Sequence, residues 1–175
     1  YEGLSIKSED YYKIEMLANL LGGSISSRLF QEIREKRGLV YSIGSFCQYF
    51  SDTGIFGIHL SASDDKINES LDLLGIEIEN ITHSITEDEI KRCLAQVKSL
   101  LFMGRETSDS WVNILASNYA YFGRYISCVE IWQGYLNIKV EELQTLAKKI
   151  FTKSKPISIS ALGNTKILKN YQEMH

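Results

Sequence analysis

Between Tyr41 and Leu60 the side chains alternate in character from one residue to the next, and on both sides of that stretch apolar residues return every three or four positions. A strand places successive side chains on opposite faces, whereas a helix returns to one face about every 3.6 residues, so a chain with this change of period must stack helices against a sheet. Tyr41, Ile43, Ser45, Cys47 and Tyr49 fall on one side of the first run, and Ser42, Gly44, Phe46, Gln48 and Phe50 on the other. Ser51-Asp52-Thr53-Gly54 is turn chemistry, after which Phe56, Ile58 and Leu60 alternate with Gly57, His59 and Ser61. The two runs are expected to pair as an antiparallel hairpin, with Gly57 and His59 turned away from the large apolar groups.

Helices flank the hairpin. Ser8, Glu9 and Asp10 make a good helix start, and Ile14, Leu17, Ala18 and Leu21 form one apolar stripe that ends at Gly22-Gly23. A second helix is expected over about Ser27 to Arg37, with Leu29, Phe30 and Ile33 on one face, Arg34, Lys36 and Arg37 in the last turn, and Gly38 as the stop. Asp64 or Ser63 can cap a helix striped by Ile67, Leu71, Leu74 and Ile78, and Thr86-Glu87-Asp88-Glu89 is a capping box before Ile90, Cys93, Leu94, Val97 and Leu101. Trp111, Leu115, Asn118, Tyr119 and Phe122 mark another helix, Val129 to Leu136 a short one, and Val140 to Ile150 a last one. A closing strand should alternate Ile157, Ile159 and Ala161 behind Pro156 and end at Gly163. The fold class is therefore α+β, a mostly antiparallel sheet with helices packed on one face.

The 175 residues suit one domain, 1–175, with no repeat or linker inside it. With 44% hydrophobic and 23% charged residues, disordered, collagen-like and coiled-coil classes lose their compositional basis. A net charge of -3 offers no basic field, so nucleic-acid binding is not expected. No apolar run approaches the roughly 20 residues of a membrane span. The start, Tyr1-Glu2-Gly3-Leu4, has neither an initiator Met nor a signal-peptide pattern, which makes the chain a fragment of a longer one by expectation.

Cys47, Cys93 and Cys128 are widely spaced and odd in number, hence free thiols. They favour a cytoplasm or organelle matrix and leave a periplasmic placement open. His59, His83 and His175 have no ligand partners at helical or hairpin spacing. His83 reads as a surface residue beside a helix cap, and His59 as a polar strand residue that could face a cleft. Arg28, Glu32, Glu35 and Arg37 read as solvated or helix-pairing charges, and Trp111, Trp132 and the tyrosines as core or interface packing.

One segment carries more. Leu21-Gly22-Gly23-Ser24-Ile25-Ser26-Ser27-Arg28-Leu29-Phe30-Gln31-Glu32-Ile33-Arg34-Glu35-Lys36-Arg37-Gly38-Leu39-Val40-Tyr41-Ser42, continued by Ser51-Asp52-Thr53-Gly54-Ile55-Phe56-Gly57-Ile58, closely resembles the start of the C-terminal half of M16 (pitrilysin-type, mitochondrial processing peptidase-like) zinc metallopeptidases. The likeness covers essentially the whole chain. It implies a clamshell of two related halves around a peptide or presequence. The N-terminal half would carry zinc on an inverted His-x-x-Glu-His motif, and this half would supply substrate-binding groups. The chain has no such motif, so it is expected to hold no catalytic zinc and to be inactive by itself.

The resemblance assigns this half an Arg and a Tyr seven residues apart, here Arg34 and Tyr41. A guanidinium is a fixed-charge donor for a peptide carbonyl, and a phenol can hydrogen-bond a developing oxyanion, so Arg34 and Tyr41 are expected to bind substrate and Tyr41 to assist catalysis. The bland alternative is that Arg34 complements a helix dipole and Tyr41 packs in the sheet. Gly22-Gly23, with Ser24 where many relatives have a third glycine, reads equally as a substrate loop or as a tight connection. The partners implied are a peptide substrate and a zinc-bearing N-terminal half, with a homodimer formed through the sheet face bearing Tyr41. A noncatalytic M16 partner subunit, or a structural subunit like the core proteins of the respiratory cytochrome complex, is the alternative function.

Overall fold

The computed structural model describes residues 1–152 and 158–168. In chain order, α1 is Tyr11–Gly22, a π-helical segment is Phe30–Glu35, β1 is Ser42–Tyr49, β2 is Gly54–Ser61, α2 is Ile67–Ile81 and α3 is Glu87–Met103. Then follow α4, Ser108–Phe122, α5, Cys128–Leu136, α6, Val140–Ile150, and a 3₁₀ turn at Thr165–Ile167. The strands pair antiparallel with Ser42 opposite Ser61 and Tyr49 opposite Gly54. The first residues extend the sheet on the far side of β2. Tyr1 and Phe56 exchange both backbone bonds at 3.0 Å, and the Gly3 amide donates to the Gly54 carbonyl at 2.8 Å.

Helices cover one face of this sheet, as the alternating pattern requires. Ser45 and Cys47 of β1 donate to the α1 carbonyls of Ala18, at 2.6 Å, and Ile14, at 3.8 Å. Phe56 of β2 is fully buried with its ring edge-on to Phe151 at 5.2 Å, just after α6. Ile14, Leu17, Leu21, Leu29, Ile33, Ile81 and Leu143 complete a core in which each is wholly removed from water. Each such side chain contributes about 1.5–3 kcal/mol of transfer free energy.

Four local expectations change. Ser8 does not cap α1: its hydroxyl accepts from the Asp10 amide at 3.2 Å inside a preceding turn, and the helix starts only at Tyr11. The cap of α2 is Lys66 rather than Ser63 or Asp64, because the Ser63 carbonyl takes the Lys66 and Ile67 amides and the Asp64 carboxylate takes Asn164 Nδ2 at 3.0 Å. In the closing segment Ile157 lies outside the described residues, while Ile159, 59% exposed, and Ala161 pair with no strand among the described residues. Finally, the stripe of α4 is not buried: Trp111, Val112, Leu115, Tyr119 and Phe122 are all exposed.

The open apolar face of the hairpin is also the opposite one. α1 covers the side of Ile43, Ser45 and Cys47, and Phe46 and Ile55 are the large exposed groups on the other. There Phe46 lies across Gly57, and His59 lies across Gly44, so each glycine makes room for the ring opposite it. No helix among the described residues is long and apolar enough to cross a membrane.

Candidate functional site

Arg34 and Tyr41 stand at the two ends of one tightly built connection. Leu29 and Ile33, fully buried, root the helical segment in the core. The expected second helix is present but changes its winding. Over Phe30–Glu35 it is π-type, with the Lys36 amide donating to the Gln31 carbonyl five residues back at 3.0 Å. Such widened turns are rare and occur frequently at functional sites.

The segment stops at Gly38, whose φ of +59° is left-handed backbone that glycine adopts without strain. Its amide donates to the Arg34 carbonyl at 2.9 Å, and the Leu39 amide reaches the Ile33 carbonyl at 3.1 Å. These bonds satisfy carbonyls that a helix end leaves free. Lys66 Nζ donates to the Gly38 carbonyl at 3.2 Å, tying the turn to α2. Leu39 and Val40 then bury, and the chain surfaces at Tyr41, whose amide donates to the Ser61 carbonyl at 2.7 Å. The Tyr41 side chain does not pack in the sheet and is 71% exposed.

Three cations close the π-helical segment, and two are engaged. Lys36 is ion-paired with Glu32, and Arg37 donates to the Glu32 carboxylate at 3.2 Å and to its carbonyl at 2.5 Å. The Lys36 hydrogen bond is the main reason that the Glu32 carboxyl titrates below its ordinary range. Arg34 has no carboxylate partner among the described residues. Its guanidinium lies over the Phe30 ring, 4.8 Å from the centroid, a cation–π contact that keeps the side chain along the helix while its donors stay in water. One permanent cation and one phenol are thus presented to solvent from a fixed connection, and both can donate hydrogen bonds to a peptide carbonyl.

Arg28 is neither a solvated charge nor paired along its own helix. Its Nε donates to Glu89 Oε1 at 2.7 Å and its Nη2 to Oε2 at 2.9 Å, with Nη1 on Ser84 Oγ at 2.9 Å and Nη2 also on the Ser84 carbonyl at 2.7 Å. Only 12% of the Arg28 side chain and 16% of the Glu89 side chain are exposed. Glu89 also completes the expected capping box, accepting from the Thr86 amide at 2.8 Å. Burial alone would raise the Glu89 pKa, but the bonds from Arg28 and Thr86 outweigh it and leave the carboxyl below its usual range. The capping box was readable from local spacing; a partner 61 residues away was not.

Gly22 is a packing residue: a Cβ there would sit 2.5 Å from the Ser45 nitrogen. His59 is exposed beside Phe46, and His83 stands next to the Thr82 hydroxyl at 3.3 Å on the surface. The three cysteines are free, and burial pushes the Cys47 and Cys93 thiols up to about 12. Among the described residues no three His, Cys, Asp or Glu side chains cluster so as to hold a metal ion.

A family model described as the peptidase M16 inactive domain matches residues 1–97, from the first sheet residues into α3. An uncharacterized zinc protease of Rickettsia felis is 40% identical over 147 residues, 84% of this chain and 36% of that protein. Another, of Rickettsia bellii, is 37% identical over 165 residues, 94% of this chain and 40% of that protein. Among solved structures, a chain of Complex III2 from Candida albicans, Inz-5 bound, superposes with a TM-score of 0.75 at 25% identity, over 85% of this chain and 38% of that one. The chain spans about two fifths of the length of the curated relatives it matches. With the helix–hairpin–helix order of the fold inside the matched span, the chain belongs to the M16 peptidase family, in its inactive-domain type.

Proposed function

We propose that residues 1–175 form one domain of a longer, processing-peptidase-like zinc endopeptidase, and that this domain clamps the peptide or presequence while the zinc site lies on an N-terminal half. The names and lengths of the Rickettsia relatives support the longer zinc protease. The described residues do not fit a zinc site, so the roles given to this chain are to hold the peptide and to hydrogen-bond the reacting carbonyl. The observation that carries the reading is Arg34, the cation of its helix end left without a carboxylate among the described residues, presented on the same connection as an exposed Tyr41. Arg34 donates to a substrate carbonyl and holds the peptide in place. Tyr41 donates to the carbonyl oxygen on which charge develops as water attacks the peptide bond. Free thiols suit a cytoplasm or organelle matrix for such an enzyme.

The test is hydrolysis of a fluorogenic peptide by the natural full-length protein. Arg34→Ala should raise KM about 10-fold or more, the worth of a charge-assisted hydrogen bond. Tyr41→Phe should lower kcat by about 10²–10³, the cost of one oxyanion donor. Unchanged kinetics in both variants would refute the site. The likeness to a Complex III2 chain supports a second reading, a noncatalytic or structural subunit. No hydrolysis by the full-length protein, where an active relative cleaves the same peptide, would favour that one.

A further inference from the structure

We infer that the Arg28–Glu89 pair is a positioning clamp that fixes the rotation of the Arg34-bearing segment, and so sets where the substrate-binding guanidinium points; this rests on the peptide-clamp reading of Arg34. Leu29 and Ile33 define the buried line along which the segment meets the core, and a line of contact alone leaves a helix free to roll. Arg28 removes that freedom. Four donated hydrogen bonds from one planar group, two to each partner, hold it against the α2–α3 turn, a geometry that a flexible ammonium would not reproduce. Glu89 is itself held by the Thr86 amide and hydroxyl, at 2.8 and 2.9 Å, so the clamp is anchored to the first turn of α3 rather than to a free side chain.

Arg34 lies six residues beyond Arg28. In either α or π winding that is well over one turn, so roll at the clamp becomes displacement of the Arg34 side chain around the axis. The Gly38 amide, on the Arg34 carbonyl at 2.9 Å, and Lys66 hold the other end, so Arg34 stands between two fixed points and the clamp sets the roll at one of them. Binding groups must be held to within about 0.5 Å of productive geometry, and a misplacement of about 1 Å costs on the order of 10²-fold in rate. Arg28 and Glu89 touch no substrate in this scheme; they act through Arg34.

The experiment measures peptide hydrolysis by the full-length protein with Glu89→Gln, Arg28→Lys, Arg34→Ala and the Glu89→Gln/Arg34→Ala double variant, at a temperature where circular dichroism shows each folded. Glu89→Gln keeps a side chain that can cap α3 but loses the charge, and Arg28→Lys keeps the charge but loses the fork. Each should raise KM about 10-fold. In the Arg34→Ala background, Glu89→Gln should change KM by less than about 2-fold, because the group it positions is gone. An equal rise in both backgrounds would show a general folding role and overturn the clamp. A normal KM in Glu89→Gln and Arg28→Lys, with Arg34→Ala impaired, would overturn the clamp alone. A normal KM in Arg34→Ala would overturn the peptide-clamp reading and the inference with it. If Glu89→Gln does not fold, Arg28→Lys and its double variant with Arg34→Ala decide in the same way.

Discussion

Gly22→Ala sets two effects of known sign against each other. Gly22 is the last residue of α1, and its backbone is not in the left-handed region, so propensity alone favours alanine by about 1 kcal/mol. Packing opposes it. The new Cβ would stand 2.5 Å from the Ser45 nitrogen and 2.8 Å from the Gly44 carbonyl carbon, where ordinary contact needs about 3.5 Å. Both obstacles are backbone atoms of β1, so no rotamer change relieves them, and α1 and β1 must separate by about 1 Å. That would stretch the 2.6 Å bond from Ser45 Oγ to the Ala18 carbonyl beyond hydrogen-bonding range, at about 1 kcal/mol, on top of about 1–3 kcal/mol of overpacking. Packing wins, with a net loss of about 2 kcal/mol and a fall in Tm of about 4–8 °C. Urea and thermal unfolding read this directly. A midpoint at or above that of the parent, with an unchanged m-value, would show that the helix end and the strand are not in the close contact argued here.

Two further outcomes are expected. Glu15 of α1 sits among Tyr11, Cys47, Tyr49 and Tyr135, and burial pushes its carboxyl up, with the Tyr49 hydroxyl partly opposing. A raised pKa means the folded state holds the proton more tightly, so the contribution is full below the ordinary value of 4.5 and is lost as pH rises through the folded pKa. Glu15→Gln should therefore stabilise the protein at neutral pH and have little effect in acid; a gain that stays constant across pH would contradict the burial argument. On α4, Val112 is 64% exposed within an apolar stripe; sedimentation velocity should show association at high concentration, and Val112→Lys should weaken it by severalfold or more, whereas a monomer at every concentration would contradict the expectation. Self-association that is unaffected by the charge would place the contact elsewhere, with the Phe46–Ile55 face of the hairpin as the next surface to substitute.

The hairpin was legible because period-two alternation and a Ser-Asp-Thr-Gly turn leave few other ways to pair, and the observed register keeps Phe56, Ile58 and Leu60 toward the helices. The capping box of α3 was legible because both of its bonds are local. The π winding of Phe30–Glu35 was not, since a stretch of about ten residues is too short for its apolar spacing to separate π from α. The bond from Arg28 to Glu89 joins residues 61 apart, and a charge pattern along one helix carries no record of such a partner. At the site, the spacing of Arg34 and Tyr41 was visible beforehand. What leaves Arg34, rather than its neighbours, without a carboxylate partner among the described residues was not: Glu32 takes both Lys36 and Arg37, and that choice is made by geometry at the helix end.

The stripe on α4 follows a related logic from the other side. Trp111, Leu115 and Phe122 recur at correct helical spacing, and the Thr107 hydroxyl caps the helix by accepting from the Ser110 amide at 3.2 Å, so the local rules were obeyed. Yet none of its side chains is buried, whereas α1, striped in the same way, buries Ile14, Leu17 and Leu21 completely. Periodicity reports that a helix has an apolar face, not which surface covers it. A helix gains most of its stability from packing that face, so a capped and striped helix whose face is only partly covered among the described residues is an incomplete interaction rather than an error of pattern. The same distinction separates two cationic residues of the stretch that leads into β1, Arg28 and Arg34. Arg28 has its partners within this chain and holds the segment in place. Arg34 has its donors in water and is the residue on which a binding role can be built.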